Sequence, residues 1–188
     1  MYSLLSSFLL AAVIHEVNVR TSFDEMGSGT FKLESLQSRL DDGEVKDSRF
    51  CASALDTSVE WDSLSYEKRS TSEEGVVIDH CTYVFEFDSV PDIREVYESL
   101  EIDLNELTIS NGKFAYAVGK QICDDLADDT VVEWSVDVPG NIRAKSWNYS
   151  EVDERSISWE LTSERCDEIF VDARISTSAH SQRPADFT

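Results

Sequence analysis

The run Val131-Val132-Glu133-Trp134-Ser135-Val136-Asp137-Val138-Pro139-Gly140-Asn141 decides how the rest of the chain is read. Val132, Trp134, Val136 and Val138 alternate with Glu133, Ser135 and Asp137, and Pro139-Gly140 then interrupts the pattern. Alternation of this kind puts one row of side chains on a buried sheet face and the other in water, so the run predicts a half-buried strand closed by a turn. Two later runs share the period, Ser156 to Leu161 and Ile169 to Ile175, with Trp147 and Tyr149 between the first run and these. Together they predict an antiparallel meander with tryptophans as its largest core residues.

Working outward, Val76 to Phe87 is the strongest strand. Val77, Asp79, Cys81, Tyr83, Phe85 and Phe87 form one row, and Val76, Ile78, His80, Thr82, Val84 and Glu86 the other. Apolar residues on both rows predict a central strand covered on both sides. Pro91 to Leu100 reads as a helix capped by Ser89, with Ile93, Val96, Tyr97 and Leu100 on one face. Asn111-Gly112 predicts a tight hairpin between Leu107 to Ile109 and Lys113 to Val118. Near the start, Val17, Val19 and Thr21, and after Gly27-Ser28-Gly29 the residues Phe31, Leu33 and Ser35, form the inward rows of another hairpin. Glu67 to Gly75 is polar enough to suggest an exposed loop, Ala52 to Leu64 suits a short helix, and Gln121 to Asp129 a helical turn with Ile122, Cys123 and Leu126 inward. The fold expected is α+β: a mainly antiparallel, curved sheet of hairpins and meander, covered by one main helix and one or two short ones.

The chain has 188 residues, enough for one domain with its own core. We expect an apolar signal- or anchor-like segment at 1–15, a single domain at 16–176 and a disordered polar tail at 177–188. Leu4 to Ile14 is too short for the ~20 residues of a membrane-crossing helix. It could bring the chain to a membrane surface, making the protein extracytoplasmic, membrane-associated or secreted, or cytoplasmic if the segment is structural.

Lys and Arg total 16 against 38 Asp and Glu, for a net charge of −22. A phosphate backbone needs clustered cations, so nucleic acid is excluded as a partner. The acids are spread along the chain, as on a surface adapted to high salt, and the alternative is cation binding. Cys51, Cys81, Cys123 and Cys166 lack the spacing of a zinc knuckle. In an exported domain they would form two disulfides, and we expect Cys51 with Cys81 and Cys123 with Cys166, against the alternative of four reduced thiols. Asn148-Tyr149-Ser150 matches a glycosylation acceptor.

Glycine-rich phosphate loops, nucleophile elbows and histidine metal motifs are missing from the sequence, so we expect neither an enzyme nor a cofactor. An apolar gap between helix and sheet could take a lipid or other apolar small molecule. Phe85, Phe87, Tyr97, Phe114, Tyr116 and Trp134 are the candidates to line it. A module that pairs through an exposed strand is the other reading, with oligomeric state open.

The hairpin Val17 to Leu33, the strand and helix from Tyr83 through Leu100, and Trp134 to Asn141 with Trp159 beyond resemble the LppM domain, a domain of unknown function in membrane-anchored lipoproteins. The resemblance spans about residues 15 to 175. It implies an envelope domain facing away from the cytoplasm, with sheet and helices enclosing an apolar cavity proposed to take lipid. The chain departs from that family in having no lipid-accepting cysteine after Leu4 to Ile14 and no membrane helix after Ile175.

Overall fold

A computed structural model describes residues 13–40, 49–51, 64–123 and 130–175. The expected helix at 52–64, except Leu64, the last six residues of the 121–129 turn, the segment before Val13 and the tail after Ile175 lie outside the described residues.

Among these residues there are eleven strands and one α-helix. The strands are β1 (Val13–Phe23), β2 (Gly29–Leu40), β3 (Leu64–Glu73), β4 (Val76–Phe87), β5 (Leu104–Ser110), β6 (Lys113–Val118), β7 (Val131–Asp137), β8 (Asn141–Lys145), β9 (Tyr149–Val152), β10 (Ser156–Leu161) and β11 (Ile169–Arg174). The helix α1 spans Val90–Ser99. The strands form two sheets, a seven-stranded one in the order β3-β4-β2-β1-β7-β10-β9 and a four-stranded one in the order β5-β6-β11-β8.

The expected single curved sheet is therefore two. The 130–176 stretch is not a continuous meander: β7, β9 and β10 join the large sheet, whereas β8 and β11 pair with each other in the small one. The turn at Val138 to Gly140 hands the chain from one sheet to the other. A Cβ on Gly140 would lie 2.2 Å from the Arg174 carbonyl oxygen, so only glycine lets β11 pass this close. The large sheet is also not wholly antiparallel, because β1 pairs β7 in parallel from Glu16↔Val131 to Ser22↔Asp137.

Within the large sheet the inward rows are those the alternation predicts. Val17, Val19, Thr21, Phe31, Leu33, Ser35, Val132, Trp134 and Val136 are all buried. On β4, Val77 through Phe87 bury their odd-numbered row, but Ile78, His80 and Glu86 are exposed. This strand is central yet covered on one face only; β-branched residues suit either face of a pleated sheet, which is why its outer row misleads. Most of the stretch Glu67 to Gly75, expected as a loop, belongs to the edge strand β3, which pairs with β4 along its whole length and is closed by Glu74 and Gly75 at positive φ of 53° and 81°. An edge strand needs no apolar row, and charged residues there discourage pairing with other chains.

Helix α1 lies where expected and buries Ile93, Val96 and Tyr97, with Leu100 buried just beyond. Ser89 is extended but does not cap through its side chain; its hydroxyl donates instead to Asp92 Oδ2 at 2.7 Å. The β5–β6 hairpin turns at Asn111 and Gly112, both at positive φ, 52° and 72°, as a type I′ reversal requires. At the β1–β2 turn, Asp24 accepts the N–H groups of Met26 and Ser28 and the Ser28 hydroxyl, and Gly27 takes a φ of 91°.

Cys51 bonds Cys81 and Cys123 bonds Cys166, with Cα separations of 5.4 and 6.2 Å, as expected. The first pins the 3₁₀ turn Arg49–Cys51 onto β4. The second ties the turn that follows β6 to the segment leading into β11.

Candidate functional site

The side chains between α1 and the two sheets form one aromatic assembly. Phe23 comes from the end of β1, Phe85 and Phe87 from β4, Tyr97 from α1, Phe114 and Tyr116 from β6, and Trp134 from β7. All six residues predicted to line a cavity are thus brought together, each buried within a single core cluster. Phe23 stands 5.5 Å from Phe87 and 5.2 Å from Phe114, ring centre to ring centre. Tyr97 meets Phe31 and Trp134 edge-on at 5.4 and 6.1 Å, and Phe114 stacks parallel to Tyr116. Edge-on contacts of this kind add to the gain from removing the rings from water.

A line of hydrogen bonds runs through this apolar setting. Trp134 Nε1 donates to the Tyr116 hydroxyl at 2.9 Å, the Tyr116 and Tyr97 hydroxyls are 3.1 Å apart, and Tyr97 reaches Thr21 Oγ1 at 2.6 Å. Four elements meet there: β7, β6, α1 and β1. Burial pushes the Tyr97 hydroxyl up to about 12 against its bonds to Thr21 and Tyr116, and burial drives Tyr116 well above the ordinary tyrosine range. Both therefore stay protonated and serve as neutral hydrogen-bonding groups.

This assembly has an apolar rim at the surface. A Cβ on Gly27 would sit 3.4 Å from Val90 at the start of α1 and 3.5 Å from Ile109 near the β5–β6 turn. The β1–β2 turn, the helix start and the hairpin tip therefore converge, with Met26 exposed beside them. Val90 and Ile109 are only partly buried and pack against the same core cluster as Phe23, Phe87 and Phe114.

A second polar centre closes the inner row of β4. Asp79 is fully buried and accepts from Ser70 at 2.6 Å, Arg39 at 3.0 Å and Lys68 at 3.2 Å. Burial raises its carboxyl, but the bonds from Ser70, Arg39 and Lys68 outweigh that and hold it below the usual carboxylate value. Its geometry is that of a structural ion cluster across β2, β3 and β4. Among the described residues, no group of three or more His, Cys, Asp or Glu side chains is placed to hold a metal ion.

Trp147, grouped in sequence with the tryptophans expected to dominate the core of the meander, is not a core residue. The structure leaves its indole 82% exposed, beside a surface hollow of about 650 Å³. The signal was available: Trp147 falls outside the alternating rows that bury Trp134 and Trp159. Asn148, predicted as a glycosylation acceptor, lies beside it with both side-chain polar atoms enclosed and without a hydrogen-bond partner.

A two-sheet β fold with one helix and an aromatic interior, among the described residues, defines the class. No known family model matches the chain, and no curated protein matches it in sequence. Among solved structures it is similar to the folded domain of the Mycobacterium tuberculosis LppM protein, determined by NMR, with a TM-score of 0.60, 12% identity, and coverage of 88% of this chain and 92% of that one. The likeness is one of fold, and it agrees with the resemblance drawn from the strand and turn patterns.

Proposed function

We propose that this chain is a non-enzymatic, extracytoplasmic domain of the envelope-lipoprotein type that takes an apolar ligand, such as a lipid chain, between α1 and the sheets. The observation that carries this reading is the apolar rim where Val90 and Ile109 meet the β1–β2 turn beside exposed Met26, with Val90 and Ile109 packed against the core cluster that contains Phe23, Phe87 and Phe114. Exposed apolar side chains at the mouth of an aromatic interior give a hydrocarbon chain a continuous path out of water. The rings fill that interior in this structure, so entry requires α1 to move outward. A single ten-residue helix with no side-chain cap is the element best suited to do so.

The LppM-like fold supports the envelope assignment, and the two disulfides support an oxidising compartment. Pairing through an exposed strand finds less support, since the long edge strand β3 carries Glu67, Lys68, Arg69 and Glu73 and the opposite edge, β9, has four residues.

Native mass spectrometry of protein purified from its own host tests the proposal. The expected result is a lipid-sized mass excess that Ile109→Asp removes while circular dichroism is unchanged. Ligand-free protein, with no gain in melting temperature on adding fatty acid or phospholipid, overturns it.

A further inference from the structure

The hollow beside Trp147 lies apart from the rim and interior just described, and nothing proposed for them requires it. Its walls are formed by two groups of residues: Trp147, Asn148 and Tyr149, at and before edge strand β9, and Glu160, Glu164, Arg165 and Asp167. At about 650 Å³ it falls in the size range of small-molecule sites.

Both walls are built rather than incidental. Beside the first group, buried Ser146 accepts from Trp159 Nε1 at 2.8 Å, and its N–H bonds the Phe170 carbonyl at 3.0 Å, so the residue before Trp147 is fastened to both sheets. Within the second, Arg165 closes a tight turn onto Thr162, and the next residue is Cys166, bonded to Cys123. The exposed indole therefore stands on a fixed base, in a hollow shared with a fixed turn.

Two features of this hollow ask for a partner. Removing a large indole face from water is favourable, yet here it remains exposed. The Asn148 amide has a donor and an acceptor side by side, and neither is paired. Leaving such groups enclosed and unpaired is costly. Lys145 already lies over the Tyr149 ring, 4.7 Å from its centre, which leaves the Trp147 indole as the free aromatic face.

A ligand that answers both features must present an apolar C–H face to the indole and adjacent hydroxyls to the amide and the carboxylates. A quaternary ammonium offers no hydrogen bond to Asn148, and three carboxylates, those of Glu160, Glu164 and Asp167, oppose an anionic bilayer surface. We infer that the hollow is a binding site for a neutral carbohydrate ring, stacked on Trp147 and hydrogen-bonded by Asn148 once its amide turns outward, with Glu160, Arg165 and Asp167 receiving the remaining hydroxyls.

The test uses the full chain, with cellobiose, maltose and N,N′-diacetylchitobiose as probes, followed by tryptophan fluorescence and by the Trp147 indole N–H in NMR. At least one disaccharide is expected to shift the Trp147 signal with saturation. Trp147→Ala should abolish the response with near-ultraviolet dichroism intact, since the side chain supports no core. Asn148→Ala should weaken binding at least tenfold while raising the melting temperature, because it removes two unpaired polar atoms; a purely structural asparagine would not separate these effects. No Trp147-dependent shift with any of the three sugars overturns the proposal. So does a response confined to tetramethylammonium or to phosphatidylglycerol vesicles.

Discussion

At the residue scale, the interior is decided by a few polar atoms placed among rings. The Trp134 indole N–H donates to the Tyr116 hydroxyl, and both are out of water. Tyr116→Phe should therefore cost about 1–3 kcal/mol in denaturant unfolding, since it strands a buried donor without opening a cavity. Tyr97 carries the matching pH dependence. Its folded value of about 12 lies above the ordinary tyrosine value of 10.0, so the unfolded chain gives up this proton first. The stability it contributes is present below about pH 10 and is lost as pH rises toward 12. Tyrosinate absorbance should appear for Tyr97 only as the protein unfolds. Asp79 acts with the opposite sign: its carboxyl is held below 3.8, so its contribution is present above that pH and lost below it. Asp79→Asn should cost about 2 kcal/mol at neutral pH and flatten the acid limb of a melting-temperature profile. This is less than for a fully buried pair, because Arg39 and Lys68 keep about a quarter of their side chains in water.

At the element scale, alternation in the sequence made most of the longer strands legible but not their partners. Val132-Trp134-Val136 shows which side chains face inward, yet the same pattern suits a parallel or an antiparallel neighbour, and β1 supplies a parallel one. The split of β8 and β11 from β7 and β10 depends on the crossing at Gly140, which in sequence reads as any Pro-Gly turn. Strand β3 was illegible because an edge strand with polar residues in both rows looks like a loop. The candidate aromatic residues were legible as inward-facing, whereas the Trp147 hollow was not, since it is assembled from three separated segments. Gly29 tests the β1–β2 pairing directly: a Cβ there would lie 1.8 Å from the Ser22 carbonyl oxygen and 2.9 Å from the Phe87 ring. Gly29→Ala should cost upwards of about 3 kcal/mol, seen as loss of soluble protein or a much lower denaturant midpoint.

At the scale of the whole molecule, charge sets the conditions under which the fold persists. A net charge of −22 on 188 residues places like charges close together over most of the surface. Molar monovalent salt shortens the screening length to about 3 Å. The melting temperature should accordingly climb steadily with either sodium or potassium chloride, and by a similar amount for each. A rise obtained only with millimolar calcium would instead mean that the acids hold a specific ion.

The parallel seam between β1 and β7 also bears on how the molecule is made. These strands meet in the middle of the large sheet, yet more than a hundred residues separate Glu16 from Val131 in the chain. A nascent polypeptide carrying β1 and β2 leaves one flank of that hairpin unsatisfied until the last third emerges. Contacts this distant in sequence slow folding and prolong the exposure of sticky intermediates. The large sheet should therefore close only after the last third of the chain has been made, and the first hairpin waits for it.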